Sequence, residues 1–151
     1  MTNSVVPASK NSGFSLIELL IVVAVIGIIA AMAVPRLTES KMAANETTAI
    51  AYLRTWVNAQ ELYHAKYGVY ADADNQLFNE GLIAVKGSAD SHGYTYRLDN
   101  PSGSKYTWWG RGRPDTPGKT GKRYFFIDQS GVIRYSTTGQ ANSSSPPLGS
   151  Q

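Results

Sequence analysis

The stretch Gly13-Phe14-Ser15-Leu16-Ile17-Glu18-Leu19-Leu20-Ile21-Val22-Val23, running on through Gly27 to Pro35, decides how this chain is read. Residues 19–34, LLIVVAVIGIIAAMAV, carry no charge and no polar side chain. From Phe14 to Val34 there are 21 nearly apolar residues. At about 1.5 Å per residue a helix over them spans roughly 30 Å, one hydrocarbon core of a bilayer. A domain of this size could not surround a helix apolar on every side, so a buried core helix is disfavoured. A secretory signal fits no better, because the run is long for one and no Ala-x-Ala site separates it from the rest of the chain.

Glu18 is the exception within this run. A carboxylate one turn into an apolar segment is costly unless neutralised, and an acidic residue at membrane depth marks function. The nearest positive charge in sequence is Lys10, eight positions away, which leaves Glu18 without a partner in the uncleaved chain. Scission between Gly13 and Phe14 would create an α-amino group four residues before Glu18. That spacing allows a contact within one helix turn, and the same amine could pair with Glu18 of a neighbouring copy.

These residues, with Gly27 and Pro35, closely resemble the processing and methylation site of type IV prepilins and type II secretion pseudopilins. The resemblance is specific over residues 13–35, and the general layout carries it over the rest of the chain. It implies a membrane aspartic peptidase that cuts after Gly13 and N-methylates Phe14. It implies that Glu18 serves methylation and pairs with a neighbour's N-terminal amine during assembly. It also implies that the section from Gly27 to Pro35 extends when subunits join a filament. The partners implied are further copies of the chain in a helical homopolymer, the peptidase/N-methyltransferase, an inner-membrane assembly platform with its ATPase, and membrane lipid before assembly. The expected location is a single pass of the inner membrane with the C-terminal domain outside the cytoplasm, then a surface pilus or a periplasmic pseudopilus. These residues would be substrate and joint, not catalysts. The function expected is that of a structural pilus subunit. The alternatives are a pseudopilin of a secretion system and a minor pilin contributing to DNA uptake.

Outward from this segment, residues 1–13 read as a leader and 14–35 as the transmembrane and filament-core helix. Residues 36–68 read as an amphipathic stem rich in Ala, Glu, Lys and Leu with no Gly or Pro before Gly68, a plausible stop. Ile50, Leu53, Val57, Gln60 and His64 recur at helical spacing as the inner stripe, with Trp56, Tyr63 and Tyr67 flanking it. Together the two segments predict about 54 helical residues, on the order of 80 Å. Pro35, which cannot bond the carbonyl of Ala31, predicts a kink, and Gly27 weakens the helix between Ile26 and Ile28.

The fold class expected is α+β: a long N-terminal helix with a small antiparallel sheet on its second half. Residues 69–92 read as a connecting loop anchored by Leu77, Phe78, Leu82, Ile83 and Val85. Residues 93–136 hold aromatic and β-branched strand signals at 93–98, 105–109, 122–127 and 132–136. Asp128-Gln129-Ser130-Gly131 reads as a hairpin turn. Tyr124 and Phe126 face one way and Phe125 and Ile127 the other, so the strand is apolar on both sides. Its second face expects cover from the 110–121 loop, from the tail or from a neighbouring subunit. The tail, 137–151, has nothing evident to bury and reads as flexible.

Hydrophobic content of 42% suits an ordinary domain, and 14 Lys+Arg against 11 Asp+Glu say little about partners. The absence of cysteine excludes disulfides and thiolate chemistry. Basic residues cluster from Lys105 to Arg123, where Arg111, Arg113, Lys119, Lys122 and Arg123 form a candidate interaction surface interleaved with Tyr106, Trp108 and Trp109. Nucleic acid is the weaker reading of that run, because the rings have a simpler place in the sheet; subunit contacts or a solvated loop explain it better. Gly118-Lys119-Thr120 ends like a phosphate loop but lacks the loop's first glycine. His64 and His92 have no ligand partners at zinc spacing, and no metal site or cofactor is expected. Some pseudopilins resembling this chain hold calcium in a C-terminal loop, but the scattered aspartates match no EF-hand pattern. Tyr52, Trp56, Tyr63, Tyr67 and Tyr70 along the stem suit core and interface better than electron conduction. No nucleophile, base and orienting acid recur together, so no enzyme is expected.

Overall fold

With no breaker between Arg36 and Tyr67, and an apolar run ahead of it whose backbone must bond internally in lipid, the first half of the chain folds as helix α1, Leu16–Tyr67. The computed structural model describes residues 13–84, 86, 92–100, 104 and 106–149. Residues 1–12 of the expected leader, with Lys10, and also Val85, Lys105 and residues 150–151 lie outside the described residues. Helix assignment runs through Gly27 and Pro35 without interruption. The chain divides into two units, Met1–Leu37 and Thr38–Gln151. In the first, large apolar side chains stay exposed from Phe14 to Leu37. The second contains the core.

In the second unit a short helix α2, Asp74–Asn79, precedes a four-stranded antiparallel sheet. Its strands are β1 (Tyr94–Asp99), β2 (Trp109–Pro114), β3 (Tyr124–Asp128) and β4 (Arg134–Ser136), in sequential order. The inner face carries Tyr94, Tyr96 and Leu98 of β1 and Phe125 and Ile127 of β3, which form one core with Leu53 and Trp56 of α1. The hairpin at Asp128–Gly131 forms as expected: Asp128 Oδ1 accepts from the Ser130 N–H, and Gly131, at φ 71°, donates to the Asp128 carbonyl.

Four sequence expectations are corrected. The second strand is not 105–109 but β2, WGRGRP, and the 110–121 loop is correspondingly shorter. Glycine is a poor strand former, so the run hid its role. Here glycine is needed: a Cβ on Gly110 would lie 2.7 and 2.9 Å from Trp56 ring atoms, and one on Gly112 3.2 Å from the Tyr96 ring. The inner stripe of α1 is rotated from the expected one. Met42, Glu46, Ala49, Leu53, Trp56 and Gln60 are buried, with Trp56 central, while Ile50 and Val57 sit at the edge.

Within 69–92, Leu77 and Ile83 anchor the segment, but Phe78 is 39% exposed. The buried Gln60 amide ties its start to α1, donating to the Ala71 carbonyl at 3.0 Å and accepting the Ala71 N–H at 2.8 Å. Finally, the tail does bury side chains. Ala141 is 1% exposed and Leu148 packs on the core. Tyr135 N–H donates to the Pro146 carbonyl and Leu148 N–H to that of Ile133, so the tail extends the edge beside β4. On the outer face Phe126 is buried, which answers the question of its cover from within the chain.

Candidate functional site

Helix α1 begins at Leu16, which places Ser15 at its N-cap and Glu18 at the third helical position. The backbone N–H of Ser15 donates to Glu18 Oε2 at 2.9 Å. This is one half of the Ser-x-x-Glu capping box, in which the carboxylate satisfies an amide that the helix itself cannot. The expectation that Glu18 lacks any partner before cleavage is therefore corrected. It is engaged by a backbone dipole at the positive end of the helix. Spacing to charged residues could not reveal this, but Ser15 three positions before Glu18 could have. Phe14 is 82% exposed and borders the amide that Glu18 already holds.

Gly13 and Gly27 share a second property. A Cβ built on either would meet nothing within 4 Å. Packing among the described residues gives no reason for glycine at either position, so any demand for it comes from outside this fold.

The five basic residues read as one surface separate into three places. Arg111 and Arg113 alternate with Gly110 and Gly112 on β2 and so lie on the outer sheet face. Lys119 is exposed in the turn after Asp115, where Thr120 Oγ1 accepts the Thr116 N–H. Lys122 and Arg123 lie against the stem. Glu46, buried on α1, accepts the N–H groups of Lys122 (2.7 Å) and Arg123 (3.1 Å) and pairs with Arg123 Nε at 2.7 Å. Lys122 Nζ lies 4.0 Å from Glu39. Arg123 is thus a structural clamp rather than part of an open basic surface. Glu46 gave no sign in sequence, since its partners are backbone amides far along the chain.

Sequence reading also missed Arg97. Register sets it opposite Arg111 on the outer face, where both guanidiniums flank Trp109, at 5.8 and 4.3 Å from its ring centre. Arg97 also pairs with Asp99.

On the inner face, burial pushes the Tyr94 hydroxyl well above its ordinary range, with the Glu46 charge adding to the effect. Burial likewise raises Tyr96, helped by Tyr52 and Asp115. Tyr94 Oη donates to the Arg123 carbonyl at 2.7 Å, so both faces of the 122–123 segment are tied down. Among the described residues no group of three or more His, Asp or Glu side chains could hold a metal ion.

These features define a class: a subunit with one exposed apolar helix segment, long enough to cross a membrane, preceding a small sheet domain that packs on the polar continuation of the same helix. The model of the prokaryotic N-terminal methylation motif matches residues 8–34. The chain is 35% identical over 94 residues to the type IV wide pilus major component PilA4 of Thermus thermophilus, covering 62% of this chain and 68% of that one. It is 33% identical over 94 residues to the type IV major pilin protein PilA of Myxococcus xanthus, covering 62% of this chain but 40% of that one. It is 30% identical over 113 residues to the type II secretion system core protein G of Vibrio cholerae, covering 71% of this chain and 76% of that one. The chain belongs to the family of type IV pilins and type II secretion pseudopilins, and its role is structural rather than enzymatic.

Proposed function

We propose that the chain is the precursor of a filament subunit, cut between Gly13 and Phe14, N-methylated on Phe14, and polymerised through the apolar part of α1. The observation that carries this reading is the uniform exposure of apolar side chains from Phe14 to Leu37 in front of a domain whose own core is complete. Such a surface needs lipid before assembly and neighbouring subunits after it. Residues 1–13 are then a leader, 14–35 the membrane and filament-core segment, 36–68 the stem, and 93–136 the sheet that forms the outer wall.

Removal of the leader exposes an amine on Phe14, next to the amide that Glu18 accepts. In a core from which water is excluded, an unpaired carboxylate is costly, and the amine of an incumbent subunit neutralises it. Glu18 then trades a local cap for an intersubunit ion pair. Gly27, which no internal contact requires, and Pro35 mark the section that extends on assembly. The machinery this needs is a prepilin peptidase/N-methyltransferase and an inner-membrane platform with its ATPase. Before assembly the domain lies outside the cytoplasm on a single membrane span.

Replacing Glu18 by Gln keeps an acceptor for the Ser15 N–H but removes the charge. Filament yield should fall at least tenfold, on the order of the free energy of one desolvated ion pair, while the precursor is still cut. Normal polymerisation of Glu18→Gln would overturn the joint. The match to core protein G, over 76% of that protein, favours a second reading, a periplasmic secretion pseudopilus. Recovery of polymer from sheared cell surfaces selects the pilus; polymer confined to the envelope selects the pseudopilus.

A further inference from the structure

The outer sheet face carries a cavity of about 410 Å³, within the size range of small-ligand sites. It lies over β1 and β2 and is bounded by Gln140 and Ala141 of the returning tail. Its lining includes Arg97, Arg111 and Arg113 and no acidic residue among the described residues. Two acidic side chains stand nearby and are occupied: Asp99 pairs with Arg97, and Asp115 accepts the Thr95 hydroxyl at 2.6 Å.

Arg111 is held firmly. Its ring partner is Trp109, and its Nη1 donates to Gln140 Oε1 at 3.0 Å, which fixes the tail against the sheet. Its Nε is buried and has no acceptor among the described residues. A buried charged donor left without an acceptor is costly, so the guanidinium as a whole gains from an anion in the cavity that Arg111 lines. Arg113, exposed on the same face two residues on, extends the donor set.

We propose that this cavity binds a phosphate monoester, gripped by Arg111 and Arg113 with Arg97 across the strand pair. Guanidinium forks match oxyanions in geometry as well as in charge. Three of them arriving from two strands suit the three oxygens of a monoester better than the two of a carboxylate. The reading is independent of polymerisation and holds for the unassembled subunit.

The test titrates the full-length chain, in nonionic detergent at constant ionic strength, with inorganic phosphate, AMP, acetate and an eight-residue thymidine oligonucleotide, following the arginine Nε–H signals by NMR. The expected result is a saturable shift of Arg111 Nε–H with phosphate and AMP, and none with acetate. Arg113→Gln, at an exposed position, should weaken phosphate binding about tenfold, the value of one charge-assisted contact. Lys119→Gln, outside the cavity, should leave binding unchanged. An equal response to acetate overturns the phosphate class. A response to the oligonucleotide alone, or equal loss in Lys119→Gln and Arg113→Gln, shows diffuse attraction of a polyanion and overturns the site.

Discussion

The two parts of α1 share one helix, Leu16–Tyr67, and are opposite in burial. Before Leu37 the side chains are more apolar, yet Leu16, Leu20 and Ile28 are 80%, 64% and 64% exposed. After Thr38 the sequence is more polar, yet Leu53 and Trp56 are fully buried and even Glu46 and Gln60 are enclosed. Burial thus follows what the rest of the chain offers, not the hydrophobicity of the helix. In the second part, two glycines on β2, a tail and two polar clamps have been arranged around the helix. In the first part nothing of this kind exists among the described residues, and the apolar surface belongs to another solvent or another copy.

This contrast predicts that damage to the second part unfolds the domain, whereas damage to the first leaves folding untouched. The largest effect is expected at Trp56. Trp56→Ala empties the space that Gly110 was kept small to provide and should cost about 3–5 kcal/mol, read by denaturant unfolding of the detergent-solubilised chain. A loss below about 1 kcal/mol would show that the core does not centre there. Next is Glu46→Ala, which strands two backbone amides and Arg123. Because Arg123 is one-third exposed, the expected loss is reduced to about 2 kcal/mol. Glu46→Gln, which can still accept one N–H, should recover part of it.

The inner-face tyrosines give a pH test. Burial raises Tyr94 and Tyr96 above the ordinary tyrosine value, so the folded state holds their protons more tightly than the unfolded chain does. Their contribution is complete below about pH 10 and is lost as pH rises through the folded values. Melting temperature should fall from about pH 10 upward, and less steeply in Tyr96→Phe. Titration of every tyrosine near pH 10 with the fold intact would contradict the packing of β1. The smallest effect is expected in the other part: Ile21→Ala should change domain stability by no more than about 0.5 kcal/mol. A larger change would mean that the domain and the apolar segment are not independent.

How far the sequence foretold this varies with the range of the interactions concerned. The apolar run and the resemblance at Gly13–Glu18 were legible because every residue there points to the same conclusion. The stem was legible as a helix, but not its rotation. Trp56 outranks Ile50 and Val57 only because Gly110 lies opposite, and that pairing spans the chain. Strand β2 was misplaced because Gly110 and Gly112 look like loop residues until the Trp56 and Tyr96 rings are set against them. Gln60 was legible as part of the inner stripe, but not its tie to Ala71, and Glu46 gave no sign because it serves backbone groups far along the chain. Arg97 looked unremarkable until register set it opposite Arg111. The tail looked empty because Ala141 and Leu148 are isolated among polar neighbours. At the helix start the reverse holds: the Ser15–Glu18 box is local, but the charge of Glu18 overshadowed its role as an acceptor.

In the proposed assembly, the exposed apolar part of α1 becomes a joint only when cleavage has made Phe14 its first residue. Mass spectrometry of the N-terminal peptide from the polymerised protein tests this most directly. The expected peptide begins at Phe14 and carries one added methyl group on its amine. A polymer whose subunits retain residues 1–13, or begin at any other residue, would contradict it.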